Sequence, residues 1–140
     1  MEGLIGPPEV PRSKRSHYSK ADGVFNPILL EELLLSMLKH KDGWPFDRPV
    51  TDDFQPGYSR VIDRPIDLLT IRSNINRLKY SRDQDVLDDI RQVFVNWFTF
   101  KKPKDEVYKC AVRLEKFFLE ESKKWGLDTV QWMPRPGSLI

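Results

Sequence analysis

The sequence predicts an all-α protein, a four-helix bundle whose first two helices are joined by a long connection and the others by short ones. Three observations predict it. Apolar residues recur at helical spacing in four separate segments; every proline and glycine falls in a tail, a loop or a first helical turn; and one stretch, residues 41–65, carries neither a helical nor a strand period.

The first helix opens at Pro27. Phe25, Asn26 and Pro27 stand in the order staple residue, N-cap and N1 proline, with Leu30 placed to meet Phe25. Leu30, Leu33, Leu34, Met37 and Leu38 form its apolar face, and Lys39, His40 and Lys41 put positive charge at the C-terminal end of the dipole before Gly43 stops the run. Asp67 caps a second helix carrying Leu68, Ile71, Ile75 and Leu78 and ending near Lys79. Ser81 and Gln84 have the spacing of a capping box ahead of a third, with Val86, Ile90, Val93 and Trp97 flanked by Leu87 and Phe94, that closes near Phe100. Pro103 breaks the chain, and Asp105 caps a fourth, whose buried face is Val107, Cys110, Ala111, Leu114, Phe117 and Phe118 and which Gly126 follows.

The length of 140 residues, 39% hydrophobic and 31% charged, suits one monomeric domain with a single core. Residues 1–24, with Pro7, Pro8, Pro11 and the basic Arg12, Lys14, Arg15 and Lys20, have the composition of a mobile tail, and residues 128–140 are a second Pro-rich tail whose Trp132 and Met133 are free to dock on the bundle. Residues 25–127 remain as the domain. The run SKRSHYSK reads as a solvated linker or, less commonly for such runs, a nuclear-import signal. A net charge of +2 does not by itself imply nucleic-acid binding. The lone Cys110 excludes an internal disulfide framework and a cysteine metal cluster, and suits a reducing, intracellular compartment.

Membrane and enzyme readings find no anchor. The most apolar run, ILLEELLLSML, is interrupted by Glu31 and Glu32 and is far shorter than the roughly 20 residues that cross a bilayer, and MEGLIGPPEV is not a secretory signal. His40 ends a helix and His17 lies in the tail, so neither has a nucleophile or metal partner; Asp52-Asp53 and Asp88-Asp89 are adjacent rather than opposed; and no glycine-rich phosphate cradle occurs. No cofactor or metal is expected. A connection longer than about 12–15 residues is either functional or disordered. Residues 41–65 hold Trp44, Phe46, Val50, Phe54, Tyr58, Val61 and Ile62, too much apolar surface for disorder, so they read as an ordered loop that builds a pocket.

Several of these residues in this order resemble one family. Trp44-Pro45-Phe46 at the start of the long connection, Pro49-Val50 after it, Tyr58, the run VIDRPIDLLTI, the spacing of Tyr80 and Asp89, and the segment NWFTFKKPKDEV resemble a bromodomain over residues 27–127, and among bromodomains those of ACF-type chromatin-remodelling subunits. The resemblance implies a left-handed bundle with a long first (ZA) loop and a short last (BC) loop, a nuclear location, and binding of acetylated lysine, usually on histone tails, between the two loops. Carried over by position, Trp44, Pro45 and Phe46 form a shelf, Val50 a wall with Phe54 on the same loop, Tyr58 the phenol that holds the acetyl carbonyl through a water, and Val107 the gatekeeper. A neutral amide on an apolar stem needs such an apolar sleeve with one or two placed donors.

The chain departs from the family at Lys101, which stands where most members have the asparagine that donates to the acetyl oxygen. Phe100 replaces the usual tyrosine, and Ser59 stands where a second tyrosine often follows Tyr58. Burying an ammonium without a counter-ion costs several kcal/mol, more than the roughly 1.5–3 kcal/mol of a charged hydrogen bond, so Lys101 is expected to snorkel to the rim and ordinary acetyl-lysine binding to be weak or absent. Two other binding readings stay open: contact of Lys101, Lys102 and Lys104 with DNA phosphate or an acidic partner, and a scaffold that joins partners of a chromatin complex through its helix faces.

Overall fold

The structure is a computed structural model and describes residues 25–127. The expectations for residues 1–24 and 128–140, including docking of Trp132 and Met133, lie outside these residues. Helix α1 spans Pro27–Lys39, a single 3-10 turn covers Trp44–Phe46, and then come α2 (Tyr58–Val61), α3 (Leu68–Asn76), α4 (Asp83–Phe100) and α5 (Glu106–Lys124). There is no strand among the described residues. The four long helices form the expected bundle. α1 and α4 each pack on both α3 and α5, and also meet each other across the diagonal.

The apolar stripes read from the sequence fill the core. Leu30, Leu33, Leu34 and Met37 of α1 meet Leu68, Ile71 and Ile75 of α3, Val86, Ile90, Val93, Phe94 and Trp97 of α4, and Cys110, Ala111, Leu114 and Phe118 of α5, all buried. Residues 41–65 are more ordered than a plain loop. The 3-10 turn and α2 drive Phe46 and Tyr58 into the same core, with Ile62 beside them. Its backbone is tied down as well: the Leu69 N–H donates to the Asp47 carbonyl at 3.1 Å, and the Asn96 amide of α4 donates to the Arg64 carbonyl at 3.0 Å.

Two of the expected caps form and two do not. The carboxylate of Asp67 accepts from the Thr70 N–H and hydroxyl at 2.9 and 2.7 Å, and that of Asp105 accepts from the Val107 N–H at 2.8 Å. Asn26 precedes α1 without a side-chain cap; its backbone N–H and its amide instead hold the buried carboxylate of Asp83, at 2.6 and 2.7 Å, and so pin the start of α1 to the start of α4. The capping box at Ser81 is absent too, because the Ser81 hydroxyl donates to Asp85 at 3.5 Å and Gln84 bonds Asp88 at 2.8 Å.

Leu78 is a further correction. α3 ends at Asn76, and Leu78 adopts φ 59° with 81% of its surface exposed instead of extending the stripe. The Lys79 N–H bonds the Asn74 carbonyl and the Leu78 N–H the Ile75 carbonyl, the Schellman pattern of a helix terminus. α1 ends at Lys39, ahead of Gly43, because His40 takes extended backbone; Gly43 instead lets the chain pass close over the end of the helix. A Cβ there would lie 2.2 Å from the Met37 carbonyl oxygen.

Candidate functional site

The end of the bundle where α4 closes and α5 begins gathers most of the residues singled out in the sequence. α4 runs long enough to place Phe94, Trp97 and Phe100 at three-residue spacing on the side that meets the long loop. Against them the loop sets Phe46, 5.8 Å from the Trp97 ring and 6.2 Å from Phe94, and Tyr58, 5.4 Å from Trp97 and 4.9 Å from Phe100. Val50, Phe100 and Val107 are half-buried and packed on the core at this margin. Trp44, at the start of the long loop, is 61% exposed. Phe54 is not brought into the cluster; it is 84% exposed on the turn closed by its own N–H to the Thr51 carbonyl.

Tyr58 carries the polar atom of this site. Its side chain is 2% exposed, and its hydroxyl has no hydrogen-bond partner among the described residues. Burial pushes the phenol pKa up to about 12, so the group is a neutral donor at any physiological pH. Asn96 is close to it, with one amide N–H on the Arg64 carbonyl at 3.0 Å and its oxygen accepting from Gln92 at 2.7 Å, so its carbonyl is not available to accept the Tyr58 O–H proton. An orphaned donor inside an apolar sleeve suits one carbonyl oxygen, held directly or through water.

Lys101 ends α4. Its side chain is only 22% exposed, its ammonium lies 5.4 Å from the centre of the Phe100 ring, and the Asp105 carboxylate stands 3.8 Å away. The stem is mostly covered, as expected of a snorkelling lysine, and an acidic counter-ion stands beside the ammonium. Asp105 had been read only as a cap. It serves both purposes, with one oxygen on the Val107 N–H and the other toward Lys101. Lys102 and Lys104 are exposed and enter no ion pair among the described residues, so a phosphate or acidic-partner contact would fall to them.

Buried and half-buried polar groups that the sequence reading missed set the spacing of the two walls. Asp42, two residues before Trp44, is 4% exposed and takes both arms of the Arg113 guanidinium at 2.9 and 3.0 Å. Arg113 also reaches Glu106, next to Val107, at 3.1 Å, so one side chain spans the start of the long loop and the start of α5. The Arg113 hydrogen bonds hold the Asp42 carboxyl far below the usual carboxylate range. His40 serves here rather than as a helix-end charge: its Nδ1 accepts the Asp42 N–H at 3.0 Å. Farther along, Asp89 receives Arg64 from the long loop and the Tyr80 hydroxyl at 2.7 Å, which gives the Tyr80–Asp89 spacing its physical content. No period or motif in the sequence flags Asp42 or Asp83, because a buried acid is recognisable only by what the fold places beside it.

Among the described residues no group of side chains could hold a metal ion, and no helix is long and apolar enough to cross a membrane.

Comparison with known proteins agrees with the geometry. The sequence model of the bromodomain family matches residues 30–113. Bromodomain adjacent to zinc finger domain protein 1A of Xenopus laevis is 32% identical over 117 residues, which cover 84% of this chain and 18% of that protein. The human protein of the same name is 31% identical over 121 residues, covering 86% of this chain and 8% of that protein, and mouse bromodomain adjacent to zinc finger domain protein 2B is 35% identical over 97, covering 69% and 4%. The chain thus spans less than a fifth of the length of these curated relatives. Among solved structures, the bromodomain of human BAZ1A superposes with a TM-score of 0.71 and 32% identity, over 76% of this chain and 99% of that one. A four-helix bundle with an aromatic cluster where the long first loop meets the end of α4, together with these matches over most of the chain, shows that the protein belongs to the bromodomain family.

Proposed function

We propose that this chain is a nuclear, chromatin-associated binding module whose pocket takes a neutral acyl-lysine, and that it holds ordinary acetyl-lysine weakly or not at all. The observation that carries the reading is the pair Tyr58 and Lys101. The pocket keeps one buried, unpaired donor, the Tyr58 hydroxyl, and has a cation engaged with Asp105 where a carboxamide would grip the ligand. With the water-mediated contact alone, a neutral hydrogen bond contributes on the order of 1 kcal/mol and does not replace the direct one. Membership in a family of binding modules supports binding as the role of the site.

Calorimetric titration with acetylated histone-tail peptides tests this. The expected dissociation constant is weaker than about 100 µM, or about 5.5 kcal/mol of binding, and a tighter one overturns the reading. Lys101→Asn is expected to raise affinity by about tenfold or more. A variant that gains nothing would show that the shelf or Phe100 also fails the ligand.

The scaffold reading is separated by Trp44→Ala, which removes an exposed shelf residue without opening the core. Partners kept by that variant bind through the helix faces. The charge reading rests on Lys102 and Lys104: salt-sensitive DNA binding lost on Lys102→Ala with Lys104→Ala would favour it.

A further inference from the structure

Along one flank of α5, Val112, Glu115, Lys116, Leu119, Glu120 and Lys123 line a groove of about 400 Å³. Helical spacing fixes which flank it is. Val112 stands one turn beyond Tyr108, whose ring packs 4.9 Å from Phe98 of α4, whereas Arg113 and Phe117 on the opposite flank hold Asp42 and the His40 ring at the end of α1. The groove therefore follows the α4 side of α5, away from the acyl-lysine site. It is apolar at Val112 and Leu119 and charged along its edges.

The last described turn folds the chain back along α5. Gly126 takes φ 77°, which reverses the path, and the Leu127 N–H bonds the Ser122 carbonyl at 2.9 Å while its side chain is buried. Ser122 precedes Lys123, the last residue lining the groove, so the described chain ends at the level of the groove's C-terminal end.

We propose that this groove is the docking site of the chain's own residues 128–140, with Trp132 and Met133 against Val112 and Leu119 and Arg135 beside Glu120. Length permits it: the distance from Lys123 back to Val112 along a helix is about 17 Å, and the five residues from Leu127 to Trp132 reach about the same when extended. Composition favours it over the other segment near this end. Residues 128–140 bring an indole, a thioether and a cation in sequence, while the approach to Phe25 offers the single ring of Tyr18 among Lys14, Arg15 and Lys20.

The test is NMR of the full chain with labelled Val and Leu methyls. Indole contacts shift the methyls of Val112 and Leu119 and give cross-relaxation to the Trp132 ring; Trp132→Ala should abolish both while the core methyls of Leu34 stay in place. Methyl positions unchanged in Trp132→Ala overturn the proposal. So does loss of the shift in Tyr18→Ala, which would make residues 1–24 the occupant, or on dilution, which would make it a second copy.

Discussion

A single hydroxyl separates what this site does for folding from what it does for binding. Tyr58 is enclosed by Trp97 and Phe100 with an unpaired oxygen, a cost of about 1–3 kcal/mol that an unmet buried polar group imposes. Tyr58→Phe is therefore expected to leave stability unchanged or raise it by about 1 kcal/mol in chemical denaturation, while lowering any acyl-lysine affinity of the Lys101→Asn protein. Loss of stability would show that the hydroxyl already has a partner. Arg113 poses the opposite case. Arg113→Leu leaves the buried Asp42 carboxylate with only the exposed Lys41 ammonium, 3.1 Å away, and unfolding free energy is expected to fall by about 1–3 kcal/mol. The same pair sets an acid limit. Because the folded pKa of Asp42 is lowered from its ordinary value of 3.8, its contribution is present above that pH and is lost as pH falls further toward the folded value. Asp83 works in the other direction: burial raises its pKa, so its protonation on acidification favours the folded state. Stability measured from pH 5 to pH 2 should decline in the native chain and decline less in Arg113→Leu; equal slopes would remove Asp42 as the cause.

At the level of single helices, the molecule ends two of them with the same hydrogen-bond pattern and different residues. α5 closes with Gly126 at φ 77° and α3 with Leu78 at φ 59°. The left-handed region costs a residue with a Cβ about 1 kcal/mol, and Leu78, 81% exposed, recovers little by packing. Leu78→Gly is expected to stabilise the protein by up to about 1 kcal/mol, raising Tm by a few degrees, and Gly126→Ala to destabilise it by about the same amount. A lower Tm for Leu78→Gly would mean that the leucine packs in a way its exposure conceals. Helix spacing alone placed Leu78 in the stripe, since the sequence offers no glycine to mark the stop. Caps were legible where the acid had no competing partner, as at Asp67 and Asp105. They were not legible at Asn26 and Ser81, where a distant carboxylate or a neighbouring acid took the side chain instead.

For the molecule as a whole, the long loop is part of the core and not an appendage to it. Phe46 is 1% exposed between Phe94 and Trp97, so Phe46→Ala is expected to cost about 3–5 kcal/mol and to weaken the entire bundle in one transition, which makes it unsuited to probing the pocket alone. A separate, earlier transition of the loop would contradict that picture. Legible in the chain alone were the all-α class, the stripes of the four long helices and the ordered character of residues 41–65, because periodicity and apolar content are local properties of a chain, whereas the pocket residues came from the resemblance to a family. Only the tertiary structure decided that Lys101 has Asp105 as counter-ion, that Arg113 ties Asp42 to Glu106, that Asn26 serves Asp83, and that Tyr58 is left with a free hydroxyl. Those outcomes depend on which polar groups meet after folding, and a polar group's partner is set by distance in space, which spacing along the chain does not encode.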